Sequence, residues 1–131
     1  MLFGSIVRRM SSSTSSSADT LVQYIAVRAD LGFGTGALCA QAAHASNAAI
    51  FTSIDKADTR AYLSAPTSMH TVVLKAESEV SLRVVADALA SAGVDAHLWV
   101  EQPEGVPTAL ATAPGFRSAL KPFFGAFKLL R

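Results

Sequence analysis

Cysteine occurs once in the 131-residue chain, at Cys39. A disulfide framework is therefore excluded, and a cysteine-based zinc site lacks its ligands. Cys39 falls inside an apolar predicted helix and is read as a buried thiol. Long hydrophobic runs are also missing: nothing reaches the roughly 18 continuous apolar residues of a membrane-spanning helix, so no membrane partner is expected. Charged residues are sparse at 16%, against 50% hydrophobic, which favours a compact globule over disorder. No two histidines have metal-ligand spacing, so no metal is expected. The glycines at 32, 34 and 36 do not fit the spacing of a dinucleotide fingerprint, and no Lys-Ser or Lys-Thr pair follows them to make a P-loop. No serine sits in a G-x-S-x-G elbow.

Acid is absent before Asp19, and that absence marks a boundary. Residues 1–18 hold Arg8, Arg9 and a serine-rich run, the composition of an organellar transit peptide or of a plain tail. Localisation is accordingly mitochondrial or cytoplasmic. Residues 19–131 suffice for one domain with a real core. Without Arg8 and Arg9, nine basic side chains face ten acidic ones, so no global field recruits nucleic acid. Beyond Gly105 the charged side chains are all cations (Arg117, Lys121, Lys128, Arg131), forming either a phosphate-facing edge or a solvated surface.

Residues 21–28 (LVQYIAVR) are short, apolar and rich in β-branched and aromatic types, and read as a buried central strand. The glycine-rich residues 30–36 form a loop, and the alanine-rich residues 37–51 a helix. One or two helical turns are expected over 55–63, a strand over 71–76, a helix over 78–92 closed by Gly93, and strands over 97–101 and 108–112. A short helix broken by Pro122 covers 117–124, and an extended segment 127–130. The order predicts a single α/β or α+β domain, two- or three-layered, with a mixed sheet, and α/β is the class adopted.

Chemistry concentrates in residues 24–50. Arg28 and Asp30 stand where the first strand ends, and the glycine turn leads into a helix whose free amides can hold an anion near Gly36. Gln41 and His44 are three apart, so they share a helix face close to that turn. His44 has an unperturbed pKa suited to proton transfer near neutrality; a structural histidine is the other reading. His70 and His97 flank strands without a supporting pattern. Trp99, Glu101 and Glu104 bracket the end of the third strand, where Glu101 alternates with Trp99 and shares its face. The apolar Phe123-Phe124 pair is an expected contact patch for a homodimer.

Residues 24–31 (YIAVRADL), Gly36 and the A-Q-A-A-H-A run at 40–45 resemble the first strand and helix of the type II peptidyl-tRNA hydrolase family. Ala113-Pro114 resembles the family's Gly-Pro, and Gly125 with Lys128-Leu129-Leu130 its closing G-x-x-K-L-L. Residues 98–104 (LWVEQPE) resemble most the divergent peptidyl-tRNA hydrolase domain-containing branch. The resemblance implies a four-stranded mixed sheet with helices on both faces. It also implies hydrolysis of the ester joining a peptide to the terminal ribose of tRNA, without metal or organic cofactor.

By that resemblance His44 matches the family's helix histidine, Gln41 its glutamine, Asp30 its strand-end aspartate and Thr108 the second threonine of P-G-T-x-T. The pattern departs at Ala37, where the family has lysine, at Glu101, where it has aspartate, and at Val106, where it has the first threonine. The implied enzyme uses water as nucleophile, with His44 oriented by Asp30 or Glu101, and amides near Gly36 for the oxyanion. Thr108 and Gln41 position the ester or water, while Arg28, Lys121 and Lys128 bind substrate. Losing the lysine removes a cation that would hold phosphate or oxyanion. A non-catalytic RNA- or protein-binding module on the same scaffold is the alternative.

Overall fold

The structure is a computed structural model and describes residues 19–131; the predicted N-terminal arm, 1–18, lies outside them. Strand β1 (Leu21–Arg28) sits at the centre of the sheet, and seven of its eight residues are buried. It pairs in parallel with β2 (Thr71–Ala76), Tyr24 opposite Val72. On its other side it runs antiparallel to β4 (Val106–Thr112), Val27 opposite Ala109. Strand β3 (Ala96–Glu101) pairs antiparallel with β4 and forms one edge.

The sheet has six strands rather than four. The additional two, β5 (Gly115–Phe116) and β6 (Lys128–Leu129), are two-residue pieces. β5 pairs with the start of β1, and β6 runs antiparallel to β2, giving the order β3-β4-β1-β2-β6 with β5 off that path. Segments this short have no alternation to read, and tertiary placement alone makes them strands.

Because successive strand residues face opposite sides, β1 supplies two cores. Val22, Tyr24 and Ala26 meet Leu82, Val85 and Leu89 of helix α3 (Glu79–Ser91), together with Leu120 and Phe124. Ile25 and Val27 meet Ala45 and Ala49 of helix α1 (Thr35–Thr52), together with Ala109 and Ala111. Helices thus cover both faces, as the resemblance implied. On α1 the buried stripe is Gln41, Ala45 and Ala49, spaced by four, and its small side chains let the helix lie close on the sheet. Cys39 is two positions from Gln41, about 200° around the helix. It faces solvent, correcting the expectation of a buried thiol.

Helix α3 starts at Ser78, whose hydroxyl and that of Ser81 make a reciprocal capping box. It is followed by Gly93 in the left-handed region at φ +72°. Helix α2 (Ala57–Leu63) is tied down by Tyr62, whose hydroxyl donates to the His70 carbonyl at 3.0 Å. Helix α4 (Arg117–Leu120) runs into a 3-10 turn over Lys121–Phe124, with Pro122 near its start, where an N–H is dispensable. That turn carries Phe124 into the core, stacked on Tyr24 with ring centroids 4.9 Å apart. The Phe123–Phe124 pair is therefore no exposed dimer patch: Phe124 is buried, and Phe123 packs against the same cluster. Strand β4 begins at Val106, two residues before the expected start at Thr108, and so takes in Pro107. The β1 pairing begins only at Ala109, and a bulge at Trp99/Val100 loosens the ladder opposite, so no N–H is missed.

Candidate active site at the ends of β1 and β3

Strands β1, β2 and β3 point the same way, so their carboxyl ends, the start of β4 and the N-terminus of α1 gather at one end of the sheet. This is the usual place for a ligand site in an open α/β sheet.

The centre of this end is Gln41. Its place on the buried stripe of α1 turns its amide toward β3 and β4. The Thr108 hydroxyl donates to Gln41 Oε1 at 2.6 Å, and both residues are buried. Gln41 Nε2 donates to a Glu101 carboxylate oxygen. An ionised carboxylate can only accept, so the amide has one satisfactory orientation and the chain Thr108–Gln41–Glu101 has one direction. The Gln41 N–H is the main reason that the Glu101 carboxyl is held below its ordinary value. Partial burial opposes this, while the Gln102 amide, the nearby His44 and the Trp99 indole N–H add to it.

His44, one turn along α1 from Gln41, is exposed. Its ring stacks on Trp99 of β3 with centroids 4.8 Å apart and planes 22° from parallel. Such a stack fixes the ring plane without occupying either ring nitrogen. His97 leans on the other part of Trp99 at 6.4 Å. Trp99 Nε1 is buried and makes no hydrogen bond of normal geometry among the described residues, and its N–H is the smallest of the influences that lower Glu101.

Asp30 and Arg28 form a separate group. Arg28 is buried; its Nε and Nη2 grip the two Asp30 oxygens at 3.0 and 2.8 Å, and Nη1 donates to the Pro107 carbonyl at 3.0 Å and reaches Glu79 at 3.5 Å. One guanidinium therefore ties the end of β1 to the start of β4 and of α3. The same grip holds the Asp30 carboxyl below its usual range and pushes Arg28 up, against the penalty of burial in each case. Asp30 thus has Arg28, not His44, as its partner.

Gly36 lies in the first turn of α1. Gly34 caps that helix without a side-chain hydrogen bond, and its carbonyl accepts from Leu38. The amides of Thr35, Gly36 and Ala37 are the unpaired N–H groups of this terminus. A hollow of about 270 Å³ opens beside it, lined by Leu31, Phe33, Glu101, Glu104, Val106 and Thr108.

Lys121 and Lys128 stand apart from this constellation. Lys128 is on β6, four strand steps from Glu101, roughly 19 Å away at about 4.8 Å per step. There it borders a separate hollow of about 480 Å³ with Lys75 and Arg131. Lys121 belongs to the turn on the sheet face opposite α1. Arg117 opens α4 beside Thr20, at the far end of β1 from Lys128, so the C-terminal cations do not form one edge. Among the described residues no three His, Cys, Asp or Glu side chains gather as a metal site.

Sequence reasoning gathered Arg28, Asp30, Gln41 and His44 at one sheet edge, and the resemblance added Thr108; Gln41, Thr108 and Glu101 are bonded to one another with His44 near Glu101, while Arg28 and Asp30 bond to each other. It missed the His44–Trp99 stack, although the i, i+2 spacing of Trp99 and Glu101 already placed both on one face. It missed the Phe33–Val106 hollow entirely, because that joins the loop before α1 to the β3–β4 hairpin, far apart in the chain.

Fold and site together define an α/β sheet protein with a carboxylate–amide–hydroxyl chain and an exposed imidazole at its strand ends. The chain matches the family described as "Peptidyl-tRNA hydrolase PTH2" over residues 21–130, and it belongs to that family. It is similar to the Homo sapiens protein named "Putative peptidyl-tRNA hydrolase PTRHD1", 37% identical over 131 residues, covering 96% of this chain and 93% of that one. The Mus musculus protein of the same name is 38% identical over 116 residues, covering 85% and 83%.

Proposed function

We propose that this chain hydrolyses the ester between a peptide and the terminal ribose of tRNA. The observation that supports it most is the directed Thr108–Gln41–Glu101 chain beside an exposed His44 held by Trp99. In this reading His44 takes a proton from water as the water oxygen attacks the ester carbonyl. Ionised Glu101 stabilises the imidazolium that results. The α1 amides around Gly36 receive the oxyanion. The carbon–oxygen bond to the ribose then breaks, the ribose oxygen takes a proton, and the peptide leaves as an acid. Thr108 is buried and acts through Gln41; it is a positioning residue. Arg28 and Asp30 brace the strand ends. Lys128, with Lys75 and Arg131, would meet backbone phosphates away from the ester, and Lys121 would do so on the opposite face.

Where the family resemblance implies a lysine, Ala37 offers no cation in the first turn of α1. One lost oxyanion donor costs on the order of a hundredfold in rate, so turnover is slow and Ala37→Lys raises it. Single-turnover cleavage of peptidyl-tRNA tests the reading: His44→Ala should lose most of the rate above background, and equal rates would remove His44 from the mechanism. The near-neutral charge and Ala37 favour a second reading, a binding module without turnover. Titrating tRNA at two salt concentrations separates them: salt-sensitive binding with no cleavage supports the module. The arm's composition fits a mitochondrial or a cytoplasmic location, which microscopy of full-length and arm-deleted fusions would separate.

A further inference from the structure

The hollow beside Glu101 has an uneven chemistry. Leu31, Phe33 and Val106 make it apolar, and Phe33 is 37% exposed at its mouth. Among the described residues its charged groups are two carboxylates, Glu101 and Glu104, and no cation lines it. Thr108 lines it too, but its hydroxyl donates to Gln41. At about 270 Å³ it is slightly smaller than the roughly 300 Å³ at which pockets for whole small molecules begin, so it takes one side chain and not a nucleotide.

Charge decides which end of the ester enters. A phosphate brought beside Glu101 and Glu104 meets two like charges, and so does an acidic side chain. An apolar side chain gains by covering Phe33 and Val106 and meets no penalty. We propose that this hollow holds the side chain of the amino acid esterified to the ribose and selects on it, accepting apolar residues and rejecting acidic ones. The proposal rests on the ester-hydrolase reading and adds its direction: the acyl group lies on the Phe33–Val106 side, and the nucleotide leaves past His44 and Trp99. Glu104 and Val106 are the specificity-determining residues.

The test compares kcat/KM of the full chain on N-acetyl-phenylalanyl-tRNA and N-acetyl-aspartyl-tRNA. The phenylalanyl substrate should be faster by about tenfold, the effect of like charges at a partly solvated rim. Glu104→Lys should narrow or invert that ratio, and Val106→Trp should slow the phenylalanyl substrate more than N-acetyl-glycyl-tRNA. Equal rates that Glu104→Lys leaves equal would overturn the pocket while leaving the hydrolase standing. If no ester is cleaved, the pocket is still read by NMR with N-acetyl-phenylalaninamide and N-acetyl-aspartamide. Shifts at the Val106 methyls and Phe33 ring with the first and not the second support it. No shift at either residue overturns it.

Discussion

Replacing Thr108 with valine keeps the side chain's shape and removes only its hydroxyl. That hydroxyl donates to Gln41 Oε1 at 2.6 Å, in a place where neither residue reaches water. Without it a buried acceptor is orphaned, at about 1–3 kcal/mol. For a domain of this size the midpoint falls by about 4 °C per kcal/mol, so a drop of about 4–12 °C is expected. The second consequence is electrostatic. The Gln41 amide, no longer directed from one side, loses its hold on Glu101, whose carboxyl then moves back up toward its ordinary value. The native Glu101 carboxyl lies below its unfolded value, so its contribution is present above roughly pH 4 and fades as pH falls through the native pKa. In Thr108→Val that acid-side loss should be smaller and complete at higher pH, so the variant's acid limb is flatter. Thermal melts between pH 2.5 and 7, with a carboxyl-carbon NMR titration of Glu101, measure both effects. A Glu101 titration unmoved by the substitution would refute the idea that Thr108 acts through Gln41.

Three further outcomes follow from the same geometry. Arg28→Met should cost about 1–3 kcal/mol by urea unfolding, because the buried Pro107 carbonyl loses its donor while the partly exposed Asp30 is rehydrated. Asp30 is depressed by Arg28, so wild-type stability falls as pH drops below about 4, and the variant should show a flatter acid limb. Leu82→Ala, at a fully buried position on α3, should cost about 2–5 kcal/mol in the same assay. Gly32→Ala should cost about 1 kcal/mol through its φ of +72° alone, since an added Cβ meets nothing within 4 Å; Gly32→Asn should cost less.

Much of the fold was legible because its signals are local. The runs 21–28 and 71–76 match β1 and β2 residue for residue, and Ser78 and Gly93 bound α3 as helix chemistry requires. Cys39 and Phe124 were misjudged because a residue type does not say which way a helix or turn faces. Cys39 sits off a stripe defined by Gln41, Ala45 and Ala49, and Phe124 turns inward to stack on Tyr24. At the site, Gln41, His44, Glu101 and Thr108 were identifiable as residue types at telling positions. Their bonds were not, since the partners stand 60 and 67 residues apart in the chain.

Composition and periodicity settled the single mixed-sheet domain and its central strand, since these depend on spacing that any reader of the chain can count; the two-sided helix packing was implied by the family resemblance. Three-dimensional packing settled the rest. It gave Asp30 to Arg28, laid His44 on Trp99, dispersed the C-terminal cations and opened the Phe33–Val106 hollow. Side-chain direction and long-range pairing set these, and neither is encoded in any one segment.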